Sequence, residues 1–195
     1  GNDEFARISE HFNDMLAEIK KANQQERESM IREKNAEIRS LEAQINPHFL
    51  YNTLSAINWM AIRSNQKEIS KVTLALSTFY RTALSRGEDM VTMESCIKNT
   101  EAYLEIQLVM HNHEFFVQWD TDSSIKNEKV PKLLLQPVVE NAIYHGIKYK
   151  EGKGLIEIRG CRVGTDIVLE VRDDGKGMDQ DTLAHIFEKH VRDTK

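Results

Sequence analysis

Residues 133–146 have the sequence LLLQPVVENAIYHG and lie between segments whose apolar residues alternate. The alternating residues are Phe115, Val117 and Trp119 before this stretch, and Ile156, Ile158, Ile167, Leu169 and Val171 after it. Alternation with a period of two predicts three strands. The intervening stretch predicts a helix over Leu133–Lys148, with Pro137 near its first turn, where a missing N–H costs least. This half of the chain therefore predicts helices packed on a sheet.

Apolar residues of the first half recur every three or four positions, which predicts helices. One seam consists of Phe5, Ile8, Phe12, Met15, Ile19 and Ala22, and a second of Ile31, Ile38, Leu41 and Ile45. The polar run Asn23–Ser29 separates the seams and shifts their heptad phase. A hairpin of two helices is predicted after Pro47, joined by Arg63–Glu68, and a further helix over Met93–Met110. Because the seams have no core of their own, they predict a homodimer.

The composition excludes several classes of protein. Of the 195 residues, 40% are hydrophobic and 29% are charged, so a core can form beside a solvated surface. The net charge of −5 argues against direct binding of nucleic acid through phosphate contacts. No apolar run reaches the roughly 18–20 residues of a membrane span, which predicts a soluble chain. Cys96 and Cys161 belong to no motif and suit a reducing compartment.

His48 lies in the segment INPHFLYN, at the start of the predicted hairpin. Two interpretations are open for this residue. It is either a capping neighbour or core residue, or a nucleophile whose neutral imidazole nitrogen attacks a phosphoryl group. An exposed position on a helix of a dimer would suit the second role, because two proteins could then reach it.

Asn141 and His145 are four residues apart and share one face of the predicted helix, with Glu140 beside Asn141. An amide oxygen can ligate Mg²⁺, which keeps most of its waters and bridges nucleotide phosphates. A cation at His145 or Lys148 can meet the same phosphates. The alternative is an amphipathic helix whose polar face only meets water.

The segment Val171–Met178, VRDDGKGM, follows the last predicted strand. Gly175 and Gly177 permit a ligand to approach the backbone closely. The carboxylate of Asp173, at the end of the strand, can accept a hydrogen bond from an exocyclic amine. A plain Asp-Gly turn after a strand is the alternative.

The three segments INPHFLYN, LLLQPVVENAIYHG and DDGKG, in this order, resemble those of sensor histidine kinases of the LytS/YesM type. The resemblance covers about residues 41–190, and residues 3–19 also look like the second helix of a HAMP signalling module. It implies an α+β fold, in which a long helical coiled coil and dimerisation hairpin precede a GHKL-type α/β sandwich. The sheet of that sandwich is mixed and carries its helices on one face.

The resemblance also implies roles for single residues. His48 would be the phosphoacceptor, Glu140 the general base or polariser, Asn141 the Mg²⁺ ligand and His145 a contact to phosphate. The chain departs from many histidine kinases directly after His48, because Phe49 stands where they have an acidic residue. The source of a base for His48 is therefore open.

Further implied roles concern the adenine end of bound ATP. Asp173 would bind the adenine amine, Gly175 and Gly177 would form the G1 turn, and Phe187 would pack near the nucleotide lid. The expected divisions are residues 1–22, the end of a HAMP-like helix; 23–45, a coiled-coil linker; 46–110, the phosphoacceptor hairpin; and 111–195, the ATP-binding domain. The sequence ends before a second glycine-rich box, so this domain is expected to be truncated.

The sequence therefore predicts the cytoplasmic part of a membrane sensor kinase whose transmembrane region lies outside this chain. ATP with Mg²⁺ would phosphorylate His48, and a response-regulator aspartate would then receive the phosphoryl group. The alternative is a non-catalytic dimeric relay module with a degenerate or incomplete nucleotide domain.

Overall fold

The computed structural model describes residues 15, 19–34, 46–84, 89–180 and 183, and divides the chain into two units, residues 1–47 and 48–195. Several sequence predictions lie outside the described residues, namely most of the HAMP-like segment and Phe5, Ile8, Phe12, Ile38, Leu41, Ile45 and Phe187. None of the helices in the described part of the chain has the length and apolar character that crossing a bilayer requires.

The first unit contains helix α1, residues 19–34. The polar run Asn23–Ser29 lies inside this helix and does not interrupt it. The carboxylate of Glu28 accepts a hydrogen bond from the Gln24 amide at 3.1 Å, and Arg32 Nε donates to the Glu28 carbonyl at 3.3 Å. Side chains one turn apart thus support each other along the exposed helix.

The second unit begins with the predicted hairpin, formed by α2 (Pro47–Arg63) and α3 (Lys67–Ala83). Asn65 in the connection has a φ of 54°, a left-handed conformation that Asn tolerates better than most residues. Ser70 Oγ of α3 donates to Asn58 Oδ1 of α2 at 2.6 Å, which ties the two helices together beside their connection.

Three strands form a mixed sheet: β2 (Phe115–Thr121), β4 (Gly154–Val163) and β5 (Asp166–Asp173). The central strand β4 is parallel to β2 and antiparallel to β5. All three were predicted by alternation, and the mixed sheet confirms the α+β class. Two further strands were missed, β1 (Met90–Thr92) and β3 (Lys129–Pro131), which pair antiparallel in a separate two-stranded sheet. At three residues each, they are too short to show a period.

Helix α4 spans Met93–Met110 as predicted, and Thr92 caps it by accepting a hydrogen bond from the Ser95 N–H at 3.2 Å. The main core lies between α4, the next helical segment and one face of the sheet. It consists of Tyr103, Leu104, Phe115, Val139, Ala142, Ile143, Ile147, Ile156 and Ile158. Alternate residues of β4 are buried in this core, which explains the period that the sequence shows.

The predicted helix Leu133–Lys148 is wrong in its first turn and in its regularity. Leu133 has a φ of 61°, which a right-handed helix does not allow, so α5 covers only Gln136–Asn141, with Pro137 in the first turn. The chain then continues through a π-helical turn, Ala142–Gly146, and a 3₁₀ turn, Ile147–Tyr149. Single π-helical turns of this kind occur frequently at functional sites.

Candidate functional site

The end of the π-helical turn lies directly against the loop after β5. A Cβ built on Gly146 would lie 2.2 Å from Asp173 Oδ1, and one built on Gly175 would lie 2.3 Å from the carbonyl carbon of Gly146. The Lys176 N–H also donates to the Gly146 carbonyl, at 3.4 Å. The structure thus brings the segments 133–146 and 171–178 together, and we call Gly146, Asp173, Gly175 and Lys176 the glycine junction.

Asp173 is the last residue of β5 and shapes the turn that follows it. Its Oδ1 accepts a hydrogen bond from the Gly175 N–H at 3.0 Å. Gly175 is required because the Gly146 backbone fills the space of a side chain, whereas Gly177 has open space around it but a φ of 68°. The two glycines of the predicted turn are therefore needed for different reasons.

Asp174 anchors the same loop on the other side. Its Oδ1 accepts from the Leu155 N–H at 2.8 Å, and its Oδ2 accepts from Lys150 Nζ at 2.5 Å. Hydrogen bonds from Lys150 and from the Leu155 backbone hold the pKa of this carboxyl below its ordinary value. Sequence reasoning missed this residue, although successive residues at a strand end point to opposite sides, and this indicates separate roles for adjacent carboxylates.

Glu140 of α5 is half-buried, and Gln136 Nε2 donates to its Oε1 at 2.8 Å. The neighbouring Tyr103 of α4 is buried, and this burial raises the pKa of its phenol. The charge of Glu140 and hydrogen bonding to Glu140 and Tyr144 add to the increase. Tyr103 therefore stays protonated beside Glu140, a contact that the apolar pattern of α4 did not reveal.

Asn141 and His145 are both exposed, while Ala142 and Ile143 between them are buried. His145 directly precedes Gly146 of the glycine junction, and Asn141 lies five residues before Gly146. In the described part of the chain, no group of three or more His, Cys, Asp or Glu side chains converges to hold a metal. A cation at Asn141 would therefore depend on water and phosphate for its other ligands, which is how Mg²⁺ is commonly held beside nucleotides.

His48 is the second residue of α2 and is exposed. Its Nδ1 lies 3.2 Å from the side-chain nitrogen of Asn52, one turn further along the helix. Sequence reasoning named His48 but assigned no role to Asn52. The first of the three predicted segments thus lies on the hairpin, apart in sequence from the two that form the glycine junction.

The hairpin is joined to α4 by a buried amide. Asn99 Nδ2 donates to Thr82 Oγ1 at 2.6 Å and to the Phe79 carbonyl at 3.2 Å. The ring of Phe79 packs against Tyr103, with 6.1 Å between the ring centroids. A chain of contacts therefore runs from α3 through Tyr103 to Glu140.

Two family models match the chain. Residues 36–115 match the family described as histidine kinase, and residues 127–195 match the family of histidine kinase-, DNA gyrase B- and HSP90-like ATPases. The first match contains the hairpin with His48, and the second contains both segments of the glycine junction. The later part of the chain therefore matches a family of ATPases that includes histidine kinases, DNA gyrase B and HSP90.

Curated relatives of the chain identify a narrower family among the histidine kinases. The chain is 34% identical over 177 residues to the sensor histidine kinase YesM of Bacillus subtilis (strain 168), a match that covers 91% of this chain and 31% of that protein. It is 34% identical over 159 residues to the sensor protein LytS of Staphylococcus haemolyticus (strain JCSC1435), which covers 81% of this chain and 27% of that protein. The chain belongs to the sensor histidine kinases of the LytS/YesM type, and it spans less than a third of the length of these relatives.

A solved structure is also similar, the histidine kinase domain from the Erythrobacter litoralis EL346 blue-light activated histidine kinase. The similarity covers 70% of this chain and 75% of that chain, at 18% identity and a TM-score of 0.39.

Proposed function

We propose that this chain is the phosphoacceptor and catalytic part of a two-component sensor histidine kinase. The kinase transfers the γ-phosphoryl group of ATP to His48, and from there to an aspartate of a response regulator. The observation that carries this proposal is the glycine junction, because it joins Asp173 to the end of the helical segment that presents Asn141 and His145. One binding surface then has an acceptor for adenine and polar groups for phosphates.

Asp173 is suited to bind the adenine amine. One of its oxygens already accepts the Gly175 N–H, and an ionised carboxylate has acceptor positions left for a further donor. Gly175 has no side chain and packs directly on the Gly146 backbone, which holds the Asp173 turn against the end of the helical segment. Gly177 continues this turn in a conformation that favours glycine.

The exposed residues of the helical segment would bind the phosphates of ATP. Asn141 would hold Mg²⁺ through its amide oxygen, and His145 would contact a phosphate oxygen. When bound, Mg²⁺ neutralises charge on the phosphate oxygens. Glu140, held by Gln136 and beside the protonated Tyr103, would polarise the reacting groups or act as general base on the water that takes up the released proton.

The chemical step is a displacement at phosphorus. A lone pair of the His48 imidazole attacks the γ-phosphorus, an N–P bond forms, and the bond to the bridging oxygen breaks with its electron pair leaving on ADP. The imidazole then loses its remaining N–H proton to water. Such transfer depends mostly on positioning and charge neutralisation, which agrees with the small number of catalytic side chains here.

A homodimer and a membrane attachment complete the proposal. Large apolar residues of α2 are exposed in the single chain, namely Phe49, Ile57, Trp59, Met60 and Ile62, at 69%, 40%, 57%, 61% and 61%. Apolar faces of this size on a helical hairpin suit a bundle of helices from two copies. We place the transmembrane region of the full-length protein outside this chain, with the present residues on the cytoplasmic side.

Incubation of the full-length protein with γ-³²P-ATP and Mg²⁺ tests the activity. We expect a protein-bound label that is labile in acid and stable in base, as a phosphoramidate is, and we expect His48→Gln to abolish it. The control is His113→Gln, because His113 is an exposed histidine at the turn before β2. ATP binding without any label would contradict the kinase proposal and favour the non-catalytic relay module.

A further inference from the structure

The contact between His48 and Asn52 bears on how the phosphoacceptor is activated. Both residues are exposed on α2, and His48 Nδ1 lies 3.2 Å from the side-chain nitrogen of Asn52. Phe49, directly after His48, offers the ring no acid. The Asn52 side chain thus contacts the imidazole of His48 in the structure.

The contact decides which ring nitrogen can react. Nδ1 is engaged within the helix by Asn52, so Nε2 is the nitrogen that points away from this contact. In a neutral imidazole one nitrogen carries the proton and the other carries the lone pair. Nε2 is therefore a nucleophile only when the proton is on Nδ1.

The amide of Asn52 can stabilise either tautomer. In the structure the Asn52 nitrogen faces Nδ1, and in this orientation the NH₂ group donates to Nδ1 and leaves the proton on Nε2, so that Nε2 has no free lone pair. After half a turn of the amide, its oxygen accepts the Nδ1–H, and the Nε2 lone pair is exposed. The hydrogen bond made by one ring nitrogen sets the protonation of the other.

We infer that Asn52 is a positioning residue that selects the reactive tautomer of His48: when its amide is turned by half a turn from the orientation in the structure, Oδ1 accepts the Nδ1–H and the Nε2 lone pair is free to attack the γ-phosphate. This inference rests on the proposed function, because it assumes that His48 is the phosphoacceptor. In the step described above, Nε2 forms the N–P bond and Nδ1 releases its proton to water. Asn52 steers the proton to Nδ1 before the attack, and it is not a base.

A neutral amide has an advantage over a carboxylate at this position. A carboxylate would also accept the Nδ1–H, but it would place a negative charge beside the incoming triphosphate. The carbonyl dipole of Asn52 performs the orientation without that repulsion. This provides a physical reason why a kinase can function with Phe49 where others have an acid.

The tautomer can be observed directly by ¹⁵N NMR of the imidazoles in this chain. His48→Gln assigns the resonances, and a pH of about 9 keeps histidine neutral, since its ordinary pKa is about 6.5. We expect a protonated Nδ1 and an unprotonated Nε2 in the wild type, and a shift towards the Nε2–H form in Asn52→Ala. Asn52→Asp should restore the Nδ1–H form, because a carboxylate only accepts. Thr53→Ala is the control, because Thr53 Oγ1 donates to the Phe49 carbonyl.

Kinetics of the full-length protein complete the test. Asn52→Ala should slow labelling by about tenfold, because the loss of one hydrogen bond lowers the fraction of His48 in the reactive tautomer, and should leave the Kd for ATP unchanged. A wild-type His48 that is mostly Nε2–H, or a tautomer ratio that Asn52→Ala does not change, would overturn the inference. If His48→Gln still becomes labelled, the phosphoacceptor assignment fails instead, whatever the tautomer.

Discussion

The Oδ1 atom of Asp173 lies 2.2 Å from the position that a Cβ on Gly146 would occupy. The carboxylate that ends β5 is therefore packed against the backbone that ends the π-helical turn. Residues far apart in the sequence meet here without any intervening side chain. This contact joins the residue proposed to bind adenine to the helical segment proposed to bind the phosphates.

Gly146→Ala should weaken ATP binding at least tenfold. Overpacking of this kind typically costs about 1–3 kcal/mol, and the new methyl group can be accommodated only by moving Asp173 or the turn after it. Isothermal titration with ATP measures the change. The control is Gly164→Ala, because Gly164 has a φ of 62° and open space in the turn between β4 and β5. Gly164→Ala should lower the free energy of unfolding and leave the Kd for ATP unchanged.

Asp173→Asn should reduce ATP affinity by about 10- to 100-fold, because one charge-assisted hydrogen bond of about 1–3 kcal/mol is lost. The amide oxygen of the new asparagine can still accept the Gly175 N–H, so the turn is kept. The other carboxylate oxygen is replaced by an NH₂ group, which donates and cannot accept from the adenine amine. Competition against ATP with a nucleotide that lacks the exocyclic amine measures the specificity. If Asp173→Asn retained full preference for ATP, the assignment of this residue to adenine would be wrong.

Asn141→Asp should slow labelling of His48 by at least tenfold at fixed Mg²⁺. The new carboxylate changes both the metal geometry and the charge balance at the phosphates. A Mg²⁺ titration of the labelling rate measures the effect. Asn127→Asp adds the same charge at an exposed turn residue and serves as the control. Equal Mg²⁺ dependence in both variants would contradict a metal-binding role for Asn141.

Asp174→Asn should remove a part of the stability that depends on pH. The folded-state pKa of Asp174 is lowered from 3.8, so its contribution is present above that pH and is lost as the pH falls through the folded-state value. The side chain is 44% exposed, and solvent screening limits the contribution to below about 1 kcal/mol. Urea unfolding at pH 7 and at about pH 3 should show a wild-type advantage that is smaller at the lower pH. A difference of the same size at both pH values would mean that the ion pair with Lys150 is not its cause.

Regular periods made most of the fold predictable. Helix α4 and the three strands of the mixed sheet follow from apolar spacing, because burial on one face determines which positions are apolar. The start of α5 did not follow, because the left-handed Leu133 has no residue signal of the kind that Gly or Asn provides. Strands β1 and β3 are stabilised by pairing with each other, which a three-residue pattern does not reveal.

The site residues that could be predicted are those whose proposed role follows from the chemistry of the side chain alone. Asp173, Gly175 and Asn141 were named from their chemistry and from the resemblance to a family. The role of Gly146 against Asp173 was not predictable, because it arises only when the two segments pack. Asn52 is part of the segment INPHFLYN, four residues after His48. This spacing predicts a contact between the two side chains, but it was not used because no hydrogen-bond partner for the imidazole was expected.

The most direct test of the account is to map the phosphoryl group in the full-length protein after reaction with ATP and Mg²⁺, by tandem mass spectrometry at a pH that preserves phosphoramidates. The account predicts phosphorylation at His48, and much less modified His48 at sub-saturating ATP when Gly146→Ala disrupts the glycine junction. A phosphoryl group on another histidine, or modification of His48 that is independent of the junction, would contradict it.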